Sequence, residues 1–187
     1  MTTTLPSSST LAIPAGTWRL DPTHSSAGFS VKHMAVATFR GSFERLDALL
    51  DVGDDGNARL TGSINADSLL VKDENLKAHL RSPEFFDTER FPEVKFVSTS
   101  IRRDGDEVVI DGELTIKDHT HPVQARGTIT GPAVTLGDAE KIGLSLEAVV
   151  DRTEFGLEWN APLPKGGVAL ADDVKLNVEL ELAREAV

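Results

Sequence analysis

Two-residue alternation of apolar and polar side chains runs from Trp18 to the C-terminus. This is the pattern of strands with one dry and one wet face. It is longest near the end, where Val174, Leu176, Val178, Leu180 and Leu182 alternate with Lys175, Asn177, Glu179 and Glu181. Ile142, Leu144, Leu146, Ala148 and Val150 form a second series, and Val108, Ile110, Leu114 and Ile116 a third. Shorter series hold Val123, Ala125 and Ile129; Ala58, Leu60, Ile64 and Ala66; Leu46, Ala48, Leu50 and Val52; and Phe29 with Val31. Turn formers separate the runs at GDDGN (53–57), RDGDE (103–107) and GPAVTLGD (131–138). Such short connections favour antiparallel pairing of neighbours. About eight strands, each apolar on one face, predict an all-β fold, either a closed up-and-down barrel or a sandwich.

Two stretches break the alternation. In DENLKAHLRSPEFFDTERFPEV (73–94), Leu76 and Leu80 stand at i, i+4 with His79 beside them, which predicts a short helix. Ser82 and Pro83 then resemble an N-cap and first helical position, starting another turn. A helical insertion over about 73–92, rich in Phe, would cover one end of a barrel. The second stretch, RTEFGLEWNAPLPKGGVALADD (152–173), carries two prolines and a Gly-Gly pair and predicts a rim loop.

The inward positions decide whether a barrel is filled or hollow, since eight strands leave room for side chains or for one small ligand. Several of them are small: Ala48, Ala58, Gly62, Ala66, Gly112, Ala125, Gly127 and Ala148. A cavity there predicts an apolar guest, whereas glycines at bulges or sharp bends would leave no space. Strands of ~10 residues, rising ~3.3 Å each and tilted ~40°, stand roughly 25 Å tall, which suits a chain-like lipid.

Composition removes several function classes. The net charge of −11 argues against a nucleic-acid partner, which needs a basic patch. The chain has no cysteine, so disulfides, thiolate catalysis and Cys-ligated zinc are excluded. No apolar run is long enough to span a bilayer as a helix. MTTTLPSSSTLAIPAG lacks a basic n-region and a continuous apolar h-region, so a cytoplasmic protein is expected, with residues 1–15 as a flexible tail and 16–187 as a single barrel domain. Strand edges near Trp18 suggest a possible homodimer.

DHTHPV (118–123) sets His119 and His121 two apart, close enough on a strand to share a metal. Spacing supplies no third ligand, and Asp118 suits a bend, so the stretch is read as a turn and no metal is expected. Ser25 and Ser82 lack a nucleophile-elbow context, and GDDGN and PKGGV are turns rather than phosphate loops. No catalytic residue and no cofactor is expected.

Five blocks resemble the YceI-like family: TWRLDPTHSSAGFSVKHM (17–34), GSFERLDALLDV (41–52), HLRSPEFFDTERFPEVKFVST (79–99), GELTIKDHTHPV (112–123) and DRTEFGLEWN (151–160). The resemblance implies an eight-stranded, lipocalin-like barrel that holds a long apolar chain, such as a polyisoprenoid, isoprenoid quinone, prenyl diphosphate or other amphipathic lipid. It further implies a carrier or transport role rather than catalysis. Asp118, His119 and His121 depart from the family pattern, as do Leu76 and Lys77 just before the HLRS block. The expected wall is Val31, Leu60, Ile64, Ile110, Leu114 and Leu146 with Phe29, Phe43 and Phe96. The insertion and late loop are expected to add Leu80, Phe85, Phe86, Phe155 and Trp159, with His79 and Arg81 meeting the headgroup. Arg152 is expected to help or to pair with Asp151 or Glu154. The rival readings are an enzyme acting on a prenyl or acyl chain in the same cavity, and an interaction module whose barrel is filled.

Overall fold

The structure, a computed structural model, describes residues 11–186. Strands form along the alternating runs: β1 (Gly16–Leu20), β2 (Ser26–His33), β3 (Ala37–Phe43), β4 (Leu46–Val52), β5 (Ala58–Asn65) and β6 (Leu69–Leu70) precede helix α1 (Glu74–Arg81). After it come β7 (Glu93–Asp104), β8 (Glu107–Ile116), β9 (His119–Val134), β10 (Glu140–Asp151) and β11 (Leu170–Arg184). Every pairing is antiparallel.

The chain order closes on itself because β1 pairs with β4 on one edge and with β11 on the other. Three walls are each built from two collinear pieces. β11 pairs with β1 through Leu182–Arg184 and with β2 through Leu170–Glu179, so β1 and β2 form one interrupted strand. β3 and β4 follow as the next, and β5 and β6 as the third. The result is a closed eight-stranded antiparallel barrel of simple up-and-down order, with ring closure excluding the sandwich. The free edge expected near Trp18 does not exist, since β1 is paired on both sides and Trp18 is fully buried.

Local chemistry places the interruptions. Asp21 accepts from the Thr23 amide (3.0 Å) and so caps a 3-10 turn, Pro22–His24, between β1 and β2. Asp73 caps α1 by accepting from the Leu76 amide at 2.8 Å, with Glu74 in the first turn and His79 and Arg81 in the last, matching the helix dipole. Ser82 ends α1 instead of starting a helix: its hydroxyl donates to the His79 carbonyl (2.7 Å), and its own carbonyl closes a single turn with the Phe85 amide. The turn expected over 131–138 is shorter, because β9 runs on to Val134 and the reversal occupies Thr135–Asp138.

Apolar side chains divide into two clusters at opposite ends. One fills its end with Trp18, Leu20, Leu50, Val52, Val108, Ile142, Leu144 and Leu182. Leu11 and Ile13, assigned by composition to the tail, are buried in this cluster, and the Trp18 indole donates to the Pro14 carbonyl at 3.1 Å. Residues 1–10 of that expected tail lie outside the described residues. The second cluster gathers Phe43, Leu69, Leu80, Phe85, Phe86, Leu114, Phe155 and Leu157 around the opposite end. The insertion contributes Leu80, Phe85 and Phe86 to this cluster, alongside Leu69 of β6, a strand only two residues long.

Candidate functional site: an apolar cavity

Between the two clusters lies a cavity of about 590 Å³. That is within the range of small-molecule sites and overturns the rival picture of a filled barrel. The expected wall residues Phe29, Val31, Phe43, Leu60, Ile64, Phe96, Ile110, Leu114 and Leu146 all line it, as do Leu80, Phe85, Phe86, Phe155, Trp159 and His79. Arg81 does not: its guanidinium is ion-paired with Asp67 outside the lining. His79 and Arg81 are two residues apart on α1, about 200° around the helix, so they leave it on opposite faces.

The structure adds Phe39, Leu76, Leu157, Leu170, Leu176 and Val178 to the lining. Leu176 and Val178 were visible in the last alternating series. Phe39 was not, because β3 reads ATFRGSF, whose inward glycine hides the period. Gly41 is needed there, since a Cβ would stand 2.5 Å from the Phe29 ring. Phe29 in turn meets Phe39, Phe43 and Phe86 at centroid distances of 6.0, 5.9 and 6.3 Å, forming an aromatic collar.

The small inward residues have two separate causes. Ala48, Gly62, Ala125 and Ala148 line the cavity and leave volume open. Gly112 and Gly127 do not: a Cβ on Gly112 would strike the Phe96 ring at 2.4 Å, and one on Gly127 the Ser145 carbonyl oxygen at 1.7 Å. These two glycines admit a neighbour rather than a guest.

Charge is kept out of the interior. Asp47, Lys95 and Glu147 border the cavity from outward positions of their strands; Lys95 pairs with Glu93 (3.0 Å) and Glu147 with Lys175 (2.8 Å). The Lys175 contact holds the Glu147 carboxyl below its ordinary range. Arg152 is the exception, only 6% exposed. Its guanidinium donates to the carbonyls of Ala171 (2.8 Å), Leu157 (2.5 Å) and Trp159 (2.9 Å), and to Asp172 Oδ1 at 3.2 Å. Its acidic partner is thus Asp172, not Asp151 or Glu154, and it ties the late loop to the barrel. Asp151 instead accepts from the Thr153 hydroxyl and amide, which lowers its pKa.

His79 Nε2 donates to Glu84 Oε2 at 2.7 Å. Its ring stands edge-on to both Phe85 and Trp159, with centroids 5.0 Å away in each case. His119 and His121 occupy β9 itself, the turn being confined to Lys117 and Asp118. His121 rests edge-on against Phe155 (5.2 Å), and His119 packs on Gly156, where a Cβ would come within 2.9 Å of the ring. Gly156 also has φ +70, so two independent constraints demand glycine. His119 Nδ1 lies 2.9 Å from Asp118 Oδ1, out of line for a hydrogen bond. Among the described residues, three metal-type side chains converge at Asp21, His24 and Glu181, outside the cavity lining. There the cation is Lys141, 3.0 Å from Asp21 Oδ2 and 2.5 Å from Glu181 Oε1. Lys141, with help from His24 and the Thr23 amide, holds the Asp21 carboxyl far below its ordinary value.

A family model described as the YceI-like domain matches residues 18–182. The chain belongs to the YceI-like family. A UPF0312 protein of Staphylococcus aureus is 31% identical over 169 residues, covering 87% of this chain and 95% of its own. Among solved structures, Burkholderia cenocepacia BcnA shares the YceI-like barrel with a TM-score of 0.74 at 19% identity, over 87% of this chain and 98% of its own. A Campylobacter jejuni YceI protein superposes with a TM-score of 0.70 at 22% identity, over 100% and 99% of the two chains. A polyisoprenoid binding domain from Saccharophagus degradans, implicated in plant cell wall breakdown, gives 0.63 at 14% identity, over 90% and 98%. At these identities the three structures speak for the fold alone.

Proposed function

We propose that this YceI-like barrel is a carrier that holds a long-chain amphipathic lipid, a polyisoprenoid or a molecule of similar shape, inside its cavity. The observation that carries the reading is the cavity itself, about 590 Å³ and walled almost wholly by aliphatic and phenyl groups. Water drawn into such a space finds few of the two to four polar partners it needs. A hydrocarbon loses nothing there and gains about 0.8 kcal/mol per methylene equivalent. Two buried isoprene units, ten carbons, therefore contribute roughly 8 kcal/mol gross, the scale of micromolar binding before association costs. The binding property named for the S. degradans domain points the same way.

The test is native mass spectrometry of gently purified protein. An added mass that disappears on delipidation and returns with prenyl lipids supports the carrier. A barrel that is repeatedly found without a guest and takes up no prenyl chain refutes it.

A further inference from the structure

Building on the carrier reading, we propose that two adjoining hairpin tips, residues 32–37 between β2 and β3 and residues 162–168 of the late loop, form a docking face for an anionic phospholipid bilayer with which cargo is exchanged.

The two tips are fixed side by side. The Met34 amide donates to the Ala169 carbonyl at 2.7 Å, and His33 pairs with Leu170 where β2 meets β11. The late loop folds into a small hairpin through a bridge between Pro162 and Val168, with the Leu163 amide donating to the Gly167 carbonyl at 3.0 Å. His33, Ala37, Thr38 and Leu170, within or beside the tips, line the cavity, so this face borders its Phe-rich end.

Apolar side chains are turned outward here. Met34, Val36 and Val168 are 40%, 85% and 51% exposed, three of the seven large apolar side chains exposed among the described residues. The turn itself does not call for them: Met34 and Ala35 have φ +52 and +57, a left-handed pair that ordinarily selects Asn-Gly.

Charge is divided unevenly as well. Asp and Glu number 30 in the chain, yet neither occurs within 22–43 or 159–171, where Lys32, Arg40 and Lys165 stand exposed. These three cations form no ion pair among the described residues. Asp172, the next carboxylate, is engaged by Arg152 at 3.2 Å. Screening over about 10 Å at 0.1 M salt confines the repulsion from the acidic remainder of the chain, so contact through these tips is not opposed by it.

Exposed aliphatic groups flanked by unpaired cations suit a bilayer surface, where the former enter the headgroup boundary and the latter meet phosphates. A protein interface favours aromatic anchors and is poor in Lys, and neither tip holds Phe, Trp or Tyr.

The experiment sediments delipidated full-length protein with phosphatidylcholine vesicles carrying about a third phosphatidylglycerol, and with phosphatidylcholine alone. Retention is expected on the anionic vesicles and should fall as salt rises. At roughly fivefold per cation, Lys32→Gln with Lys165→Gln should weaken it about 20-fold, and Val36→Asp at least about tenfold. Lys32, Val36 and Lys165 lie outside the cavity lining, so uptake of geranylgeraniol from detergent, read by native mass spectrometry, is expected to be unchanged in both variants. Should Val36→Asp fail to fold, the lysine pair decides alone. No retention, equal retention on phosphatidylcholine alone, or retention indifferent to the substitutions overturns the docking face. A dimer that Val36→Asp dissolves, without vesicle retention, assigns the face to a second copy and overturns it too. Uptake without retention leaves the carrier intact, whereas retention without uptake overturns the carrier and not the face.

Discussion

Gly62 and Gly112 provide a paired test, because both are inward-facing strand glycines and the structure assigns them opposite responses. At Gly62 an added Cβ meets only the Asp47 carbonyl oxygen, at 3.7 Å, and the direction beyond it is the cavity. Gly62→Leu removes the entropic cost of glycine in a strand, about 0.5–1 kcal/mol, and gives the new side chain an apolar setting. A net gain of about 1–2 kcal/mol raises the midpoint of thermal unfolding by roughly 2–8 °C in a domain of this size. The same four carbons displace about four methylenes of guest, about 3 kcal/mol or ~200-fold in affinity if the guest cannot shift. At Gly112 the Cβ collides with the Phe96 ring at 2.4 Å and the Val97 carbonyl at 2.6 Å, so Gly112→Ala is expected to destabilise by about 1–3 kcal/mol. Calorimetry of the two delipidated variants, with prenyl-lipid titration of the first, measures both effects. A Gly62→Leu protein that melts earlier than the parent, or fills with lipid as readily, would refute the assignment of open volume to that position.

Other consequences are separable. Arg152→Met leaves the buried Leu157 carbonyl and the half-buried Trp159 and Ala171 carbonyls without their donor; a loss of about 3 kcal/mol is expected, with faster proteolysis between Gly156 and Ala169, and an unchanged urea midpoint would contradict it. The depressed pKa of Asp21 means that its contribution is complete above the ordinary carboxylate range near pH 4 and is lost as pH falls below it. Asp21→Asn should therefore flatten the decline of the urea midpoint between pH 4 and pH 2, and an equally steep decline would disprove the link. Trp159 lines the mouth while Trp18 is sealed at the far end, so in a Trp18→Phe background the remaining emission should shift on lipid uptake. A spectrum indifferent to saturating prenyl lipid would place the guest elsewhere.

Much of the fold was legible because the alternation reports which face of a strand is dry. The series from Val174 to Leu182 supplied the wall made by β11, and Leu60 with Ile64 that made by β5. What alternation does not encode is who occupies the space beside a small residue. Gly62 and Gly112 look alike in sequence, yet one faces open volume and the other a phenyl ring. The burial of Leu11 and Ile13 was hidden for a related reason, since two apolar residues among Ser, Thr and Pro carry no periodicity and their partner Trp18 is named only by the closed barrel. Arg152 was unreadable because its main acceptors are backbone carbonyls, which every residue type shares. Arg81 was misplaced because its partner Asp67 lies across the connection from β5 to α1, where sequence distance says little.

The division of the apolar side chains into a solid end and a hollow end bears on where a lipid guest would enter. Packing around Trp18 ties β1, β4, β10 and β11 together independently of the guest. Opening at the Phe-rich end therefore needs only sub-global fluctuation, and the ring near Trp18 stays shut meanwhile. Amide exchange should consequently be slowest around Leu50 and Leu182 whether or not lipid is bound, and should respond to lipid chiefly along α1 and the phenylalanines that follow it.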